Sequence, residues 1–112
     1  MVYSPPSPTD TTAMQLTEKQ KRHLRTLGHR LRPVVRIGGK GLSENVLEEI
    51  AVQLDHHELI KISVSVGDRA LRDRLVEQIC SDTRATLIQR IGNMALVFRR
   101  NPRKPRIPLK LK

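Results

Sequence analysis

Between residues 46 and 66 the apolar residues change their spacing, and that change does more than any other feature to limit the fold. Val46, Leu47, Ile50, Ala51 and Leu54 stand at i, i+1, i+4, i+5 and i+8, the stripe of a helix with one broad buried face. Ile60, Ile62, Val64 and Val66 then alternate with Lys61, Ser63 and Ser65, the period of a strand covered on one side only. A helix that gives way to such a strand calls for a sheet with helices laid on it.

Both periods recur in the flanking sequence. Thr17, with Gln20 three residues on, predicts a capping box and the start of a first helix, with Leu24, Leu27 and Leu31 as its buried stripe. Pro33 closes that helix by disfavouring helical geometry at Arg32. Val34-Val35-Arg36-Ile37 is a short, β-branched strand running into Gly38-Gly39-Lys40-Gly41, after which Ser43 caps the helix of residues 46–54. Glu44, Glu48 and Glu49 near its start form a solvated face that suits the helix dipole. Past the strand of residues 59–66, Gly67 turns the chain and Asp68 caps a third helix with Leu71, Leu75, Val76, Ile79 and Cys80 on its apolar side. Runs 86–91 and 94–99 meet at Gly92-Asn93, residues that tolerate the positive φ angles of a hairpin turn.

The expected order is α-β-α-β-α-β-β: an α/β (α+β) domain with one mixed four-stranded sheet, parallel across each strand–helix–strand passage and antiparallel in the hairpin. It spans residues 16–100. Residues 1–15 are read as a flexible lead-in, and residues 101–112 as a basic tail kept from packing by three prolines and its charge. A chain of 112 residues allows one core and not two.

Charge narrows the partner. The net charge is +10, and it is segregated. Residues 16–40 carry eight Lys or Arg against Glu18 alone, residues 41–98 carry six against nine acids, and residues 99–112 carry seven with no acid. Two basic blocks around a slightly acidic middle point to a polyanion. Lys21, Arg22, Arg25, His29 and Arg32 gather on one flank of the first helix at about 100° per residue. No run of about 20 apolar residues or secretory signal is present, and the opening residues lack the Arg and Lys of a transit peptide. The single Cys80 forms no internal disulfide, and no Cys/His spacing suits zinc. A cytoplasmic protein without cofactors, membrane or small-molecule substrate is expected, as a monomer.

The Gly38-Gly39-Lys40-Gly41 run is the chemical signature. Glycines remove side chains so that a phosphodiester can approach the backbone, N–H groups at the following helix start face it, and Lys40 adds a cation. Arg36 stands beside the run. An isolated GxxG is most often only a turn; the basic helix before it is what argues for nucleic acid. The spacings of the Walker loop and of the dinucleotide fingerprint are both absent, so nucleotide hydrolysis has no support. Tyr3 lies in the lead-in and Phe98 alternates with core residues, which leaves no platform for stacking bases. His56-His57 reads as a plain turn between helix and strand, and Cys80 as an inert core thiol.

The stretch from Pro33 through Gly38-Gly39-Lys40-Gly41 to Ser43, followed by His56-His57-Glu58-Leu59-Ile60-Lys61, resembles the CRM domain, the chloroplast RNA splicing and ribosome maturation module. As a stand-alone chain it is similar to the bacterial YhbY family. The resemblance covers residues 16–100 and implies a domain similar to the C-terminal domain of a bacterial translation initiation factor. It also implies association with ribosomal RNA in large-subunit precursors during assembly. Its RNA-binding loop falls on Gly38, Gly39, Lys40 and Gly41, and its basic surface on the first helix. Arg36 departs from the apolar strand residue that the family leads one to expect. The family occurs in plant organellar splicing proteins too, but this short chain fits the ribosomal branch. The expectation is a non-catalytic RNA-binding protein. The alternative is a protein-interaction module that docks on a ribosomal protein or factor through its sheet, which requires an exposed apolar patch there.

Overall fold

A computed structural model describes residues 16–107. The first helix, α1 (Glu18–Gly28), opens on the expected capping box: Thr17 Oγ1 accepts from the Gln20 N–H at 3.1 Å, and Gln20 Oε1 accepts from the Thr17 N–H at 2.9 Å. It ends earlier than Pro33 requires. The Arg30 and Leu31 N–H groups donate to the Leu27 and Gly28 carbonyls, three residues back, and tighten the chain into turns that bring it extended to Pro33. Arg32 is therefore not helical. Of the expected stripe, Leu24 is fully buried and Leu31 half-buried, while Leu27 is 36% exposed.

The remaining elements are β1 (Pro33–Ile37), α2 (Glu44–His57), β2 (Leu59–Val64), α3 (Arg69–Thr83), β3 (Thr86–Ile91) and β4 (Met94–Phe98), in the expected order. Ser43 Oγ caps α2 by accepting from the Val46 N–H, and Asp68 Oδ1 caps α3 by accepting from Ala70. The sheet runs β1-β2-β4-β3. β1 and β2 are parallel with Ile37 opposite Val64, β2 and β4 antiparallel with Leu59 opposite Phe98, and β3 and β4 form the hairpin. Gly92 takes a φ of +56° and Asn93 does not, so only one of the two turn residues uses the left-handed region.

Two apolar clusters lie on opposite faces of this sheet. Ile50 and Leu54 of α2 and Leu75, Val76 and Ile79 of α3 pack on Val35, Ile37, Ile60, Ile62, Val64, Ala95 and Val97. Leu24 of α1 packs on Leu59, Ile88, Leu96 and Phe98. The strand read as half-covered is thus covered on both faces. It is shorter than expected, with Ser63 buried and Lys61 half-buried, and Leu24 of α1 packs on Leu59 on the face that the alternation marks as polar. Each fully buried side chain of this kind contributes about 1.5–3 kcal/mol. Leu71, expected on the apolar side of α3, is 42% exposed. His56 and His57 are not a turn: they are the last two residues of α2, where a helix C-terminus favours positive charge.

The C-terminal segment also departs from expectation. Residues 101–107 lie against the domain, held by Glu58, which is fully buried and takes a φ of +62° just after α2. Its carboxylate accepts from the backbone N–H groups of Asn101 (2.5 Å), Arg106 (2.6 Å) and Ile107 (2.8 Å), and Arg100 lies 3.4 Å away. Ile107 packs against the α1 cluster. Prolines exclude helix and ladder, but they leave N–H groups that a carboxylate can gather. The lead-in and residues 108–112 lie outside the described residues.

Candidate nucleic-acid interface

The Gly38-Gly39-Lys40-Gly41 run is a tight turn between β1 and α2, closed by the Gly41 N–H donating to the Gly38 carbonyl at 3.0 Å. Gly41 has a φ of +72°, which explains glycine at that position. Gly38 and Gly39 have no such need. Both are exposed, neither has a positive φ, and a Cβ added to either would meet nothing within 4 Å. The fold does not require glycine there. Lys40 lies in the same turn and is exposed. At the start of α2, Ser43 already occupies the Val46 N–H and Glu44 brings a carboxylate, so the turn offers an anion more than the helix start does.

Val35 and Ile37 pack beneath α2 and α3, so Val34 and Arg36, one residue out of phase, face the side of the sheet that carries α1. Arg36 is exposed, and the turn follows two residues later. On α1, Arg22 is exposed, Arg25 half-buried, and Lys21 sits 3.9 Å from Glu18 in an exposed pair. The sequence placed all these residues in one site, and the structure brings Arg36 and α1 to one side of the sheet. Arg32 does not join the turn. It precedes β1 while Gly38 follows it, roughly 20 Å away at ~3.3 Å per residue.

The layer on the other face is acidic. All nine acidic residues between 41 and 98 lie on α2, α3 or their caps, against Arg69, Arg72, Arg74 and Arg84. Part of the C-terminal basic block is spent inside the fold. Arg99 donates to Asp55 Oδ1 and to the Ala51 and Thr83 carbonyls, and Arg100 pairs with Glu58. Of the exposed apolar residues on the sheet, Leu87 and Ile91 sit on the edge strand opposite Val34, while Val34 shares one groove with the exposed Leu27 of α1. Burial pushes the Cys80 thiol up to about 11, which keeps it protonated and a poor nucleophile. Among the described residues no three His, Cys, Asp or Glu side chains gather as metal ligands, and no helix is long and apolar enough to cross a membrane.

Residues 16–99 match the CRS1/YhbY (CRM) domain model, three-quarters of the chain. The chain belongs to the CRM domain family. It is 42% identical over 90 residues to a Pseudomonas aeruginosa protein named as a probable RNA-binding protein, covering 80% of this chain and 86% of that one. A Haemophilus influenzae protein named as RNA-binding is 44% identical over 84 residues, covering 75% and 85% respectively. The fold matches the solution structure of a Staphylococcus aureus protein proposed to bind RNA, with a TM-score of 0.72 and 37% identity over 84% of this chain and 98% of that one. In this CRM domain, sequence reasoning found the turn and the basic helix. It missed Arg30, Lys61, Arg106 and the exposed end of α2, which line one groove. Lys61 was visible as a polar residue in an apolar strand, but Arg106 is brought to the groove by bonds of the C-terminal segment to Glu58 and Arg100, far along the chain.

Proposed function

We propose that this CRM domain is a non-catalytic RNA-binding protein that holds ribosomal RNA of large-subunit precursors during ribosome assembly. The Gly38–Gly41 turn and Lys40 take the phosphodiester backbone, with Arg36 and the Lys21, Arg22 and Arg25 flank of α1 adding phosphate contacts on the same side of the sheet. The observation that carries this reading is the pair Gly38 and Gly39, whose lack of side chains serves no packing or backbone need of the fold and leaves room for something outside it. The names of the relatives support RNA as the partner. The ribosomal client follows from the resemblance to the YhbY branch.

The test is sedimentation of cell extract through a sucrose gradient, probing for wild type and for Gly38→Gln/Gly39→Gln, a change with open space at both positions. Wild type should travel with large-subunit precursors and the variant should stay at the top. Wild type at the top would remove the ribosomal client, and co-migration of both forms would remove the turn from the site.

A further inference from the structure

A groove of about 650 Å³ opens where the end of α1, the start of β1, the end of α2 and residues 106–107 meet. Its rim is basic: Arg30, Arg32, Lys61 and Arg106 stand around it with His56 and His57, and no acidic side chain lines it. Leu31, Leu59 and Ile107 make an apolar floor continuous with the α1 cluster. One wall is built by specific bonds. Glu58 holds the Arg106 and Ile107 N–H groups, and Arg100 donates to the Ile107 carbonyl at 2.6 Å. Among the described residues, the side chains of Arg30, Arg32, Lys61 and Arg106 have no ion-pair or hydrogen-bond partner.

We infer that this groove is a second RNA site, which seats an unpaired base on its floor and holds the flanking phosphates on Arg30, Arg32, Lys61 and Arg106. The inference rests on the RNA-binding reading above. Charge decides the class of occupant: an apolar floor ringed by four unpartnered cations fits a polyanion that carries flat apolar groups. Position decides between RNA and an acidic peptide. The groove and the Gly38–Gly41 turn lie at the two ends of β1, roughly 20 Å apart, with Arg36 between them. The cations thus mark a track as long as the strand, which suits a single phosphodiester chain. A duplex keeps its bases stacked and paired, so only an unpaired base enters the groove. There the histidine rings and guanidinium planes offer stacking surfaces that the shortage of Phe, Tyr and Trp otherwise denies.

The test uses the full chain and fluorescent single-stranded oligoribonucleotides, intact or with abasic residues, with binding read by anisotropy at one salt concentration. Wild type should lose about tenfold on abasic RNA. Arg32→Gln/Arg106→Gln, both exposed positions, should bind intact RNA more weakly and no longer distinguish it from abasic RNA, with an unchanged thermal melt. Equal binding of intact and abasic RNA by wild type would overturn the inference. So would loss of affinity in Gly38→Gln/Gly39→Gln with none in the groove variant, which leaves the RNA-binding reading standing. Wild type that binds no RNA, yet takes an acidic amphipathic peptide that the groove variant rejects, would overturn both in favour of protein docking.

Discussion

At Gly28 the last turn of α1 comes so close to β4 that any side chain would collide. A Cβ there would stand 2.3 Å from Cδ2 and 2.8 Å from Cδ1 of Leu96, which is itself buried and cannot swing aside without opening the α1 cluster. On an exposed helix, Gly→Ala gains about 1 kcal/mol; overpacking a core costs about 1–3 kcal/mol. The clash should win. Gly28→Ala should lower stability by about 1–2 kcal/mol in urea titrations, and in a Leu96→Ala background the same change should become neutral or stabilising, since the methyl then fills vacated space. An equal loss in both backgrounds would show that the contact is not the cause. Cys80 gives a second prediction at this scale. Its thiol is raised from 9.0 to about 11 by burial, so the folded chain holds that proton more firmly than the unfolded one. That contribution to stability is complete below pH 9.0 and is lost as the pH rises through about 11. Wild type should therefore lose more stability than Cys80→Ala between pH 8 and 11, measured by denaturant midpoint. Parallel losses would leave the thiol without influence on the fold.

The C-terminal segment behaves as an element although it has no regular structure. Its three anchoring N–H groups converge on one carboxylate, and Glu58 is held for the purpose in a backbone region that costs a non-glycine residue about 1–3 kcal/mol. Glu58→Gln replaces one acceptor oxygen with a donor, which faces a backbone N–H and repels it. The amides of Asn101, Arg106 and Ile107 should then exchange with deuterium at least tenfold faster, while those of β2 and β4 keep their protection. Global loss of protection would mean that Glu58 supports the sheet rather than the segment. Nothing in the local sequence announces this device, because its partners lie more than forty residues apart and glutamate in a connection reads as solvated. The same distance limit explains the other differences. Capping pairs at Thr17, Ser43 and Asp68 are local chemistry and were legible. The close approach of Gly28 to Leu96 and the packing of Leu24 on Leu59 both join residues far apart in the chain. In the candidate site, Gly38–Gly41 could be read from residue types alone, while the separation of Arg32 from that turn needed the ends of β1.

Across the whole molecule, the charge blocks of the sequence become two sides of a sheet. Residues 16–40 place their excess of basic residues on α1, on the β1 edge and on the turn, while the acids of residues 41–98 all ride on α2, α3 and their caps. On the second side Arg69, Arg72, Arg74 and Arg84 and the pairing of Asp55, Asp73 and Glu58 with arginines offset most of the acids, so a polyanion is drawn to the first side more strongly and that orientation is favoured. Lys21 does not weaken this by its pairing with Glu18, since an exposed pair of that kind is worth about 0–1 kcal/mol and readily exchanges for phosphate. Each phosphate neutralised on a single strand contributes about −0.7 to the slope of log affinity against log salt. Lys21→Gln/Arg22→Gln/Arg25→Gln should accordingly flatten that slope by up to about 2, while leaving the thermal melt in place because none of the three is buried. A matching triple replacement on the acidic layer, Glu44→Gln/Glu48→Gln/Glu49→Gln, alters net charge by the same amount in the opposite sense but touches no phosphate. It should strengthen binding at low salt through the general field and leave the slope nearly unchanged. If the α1 variant keeps the wild-type slope, α1 is outside the proposed interface.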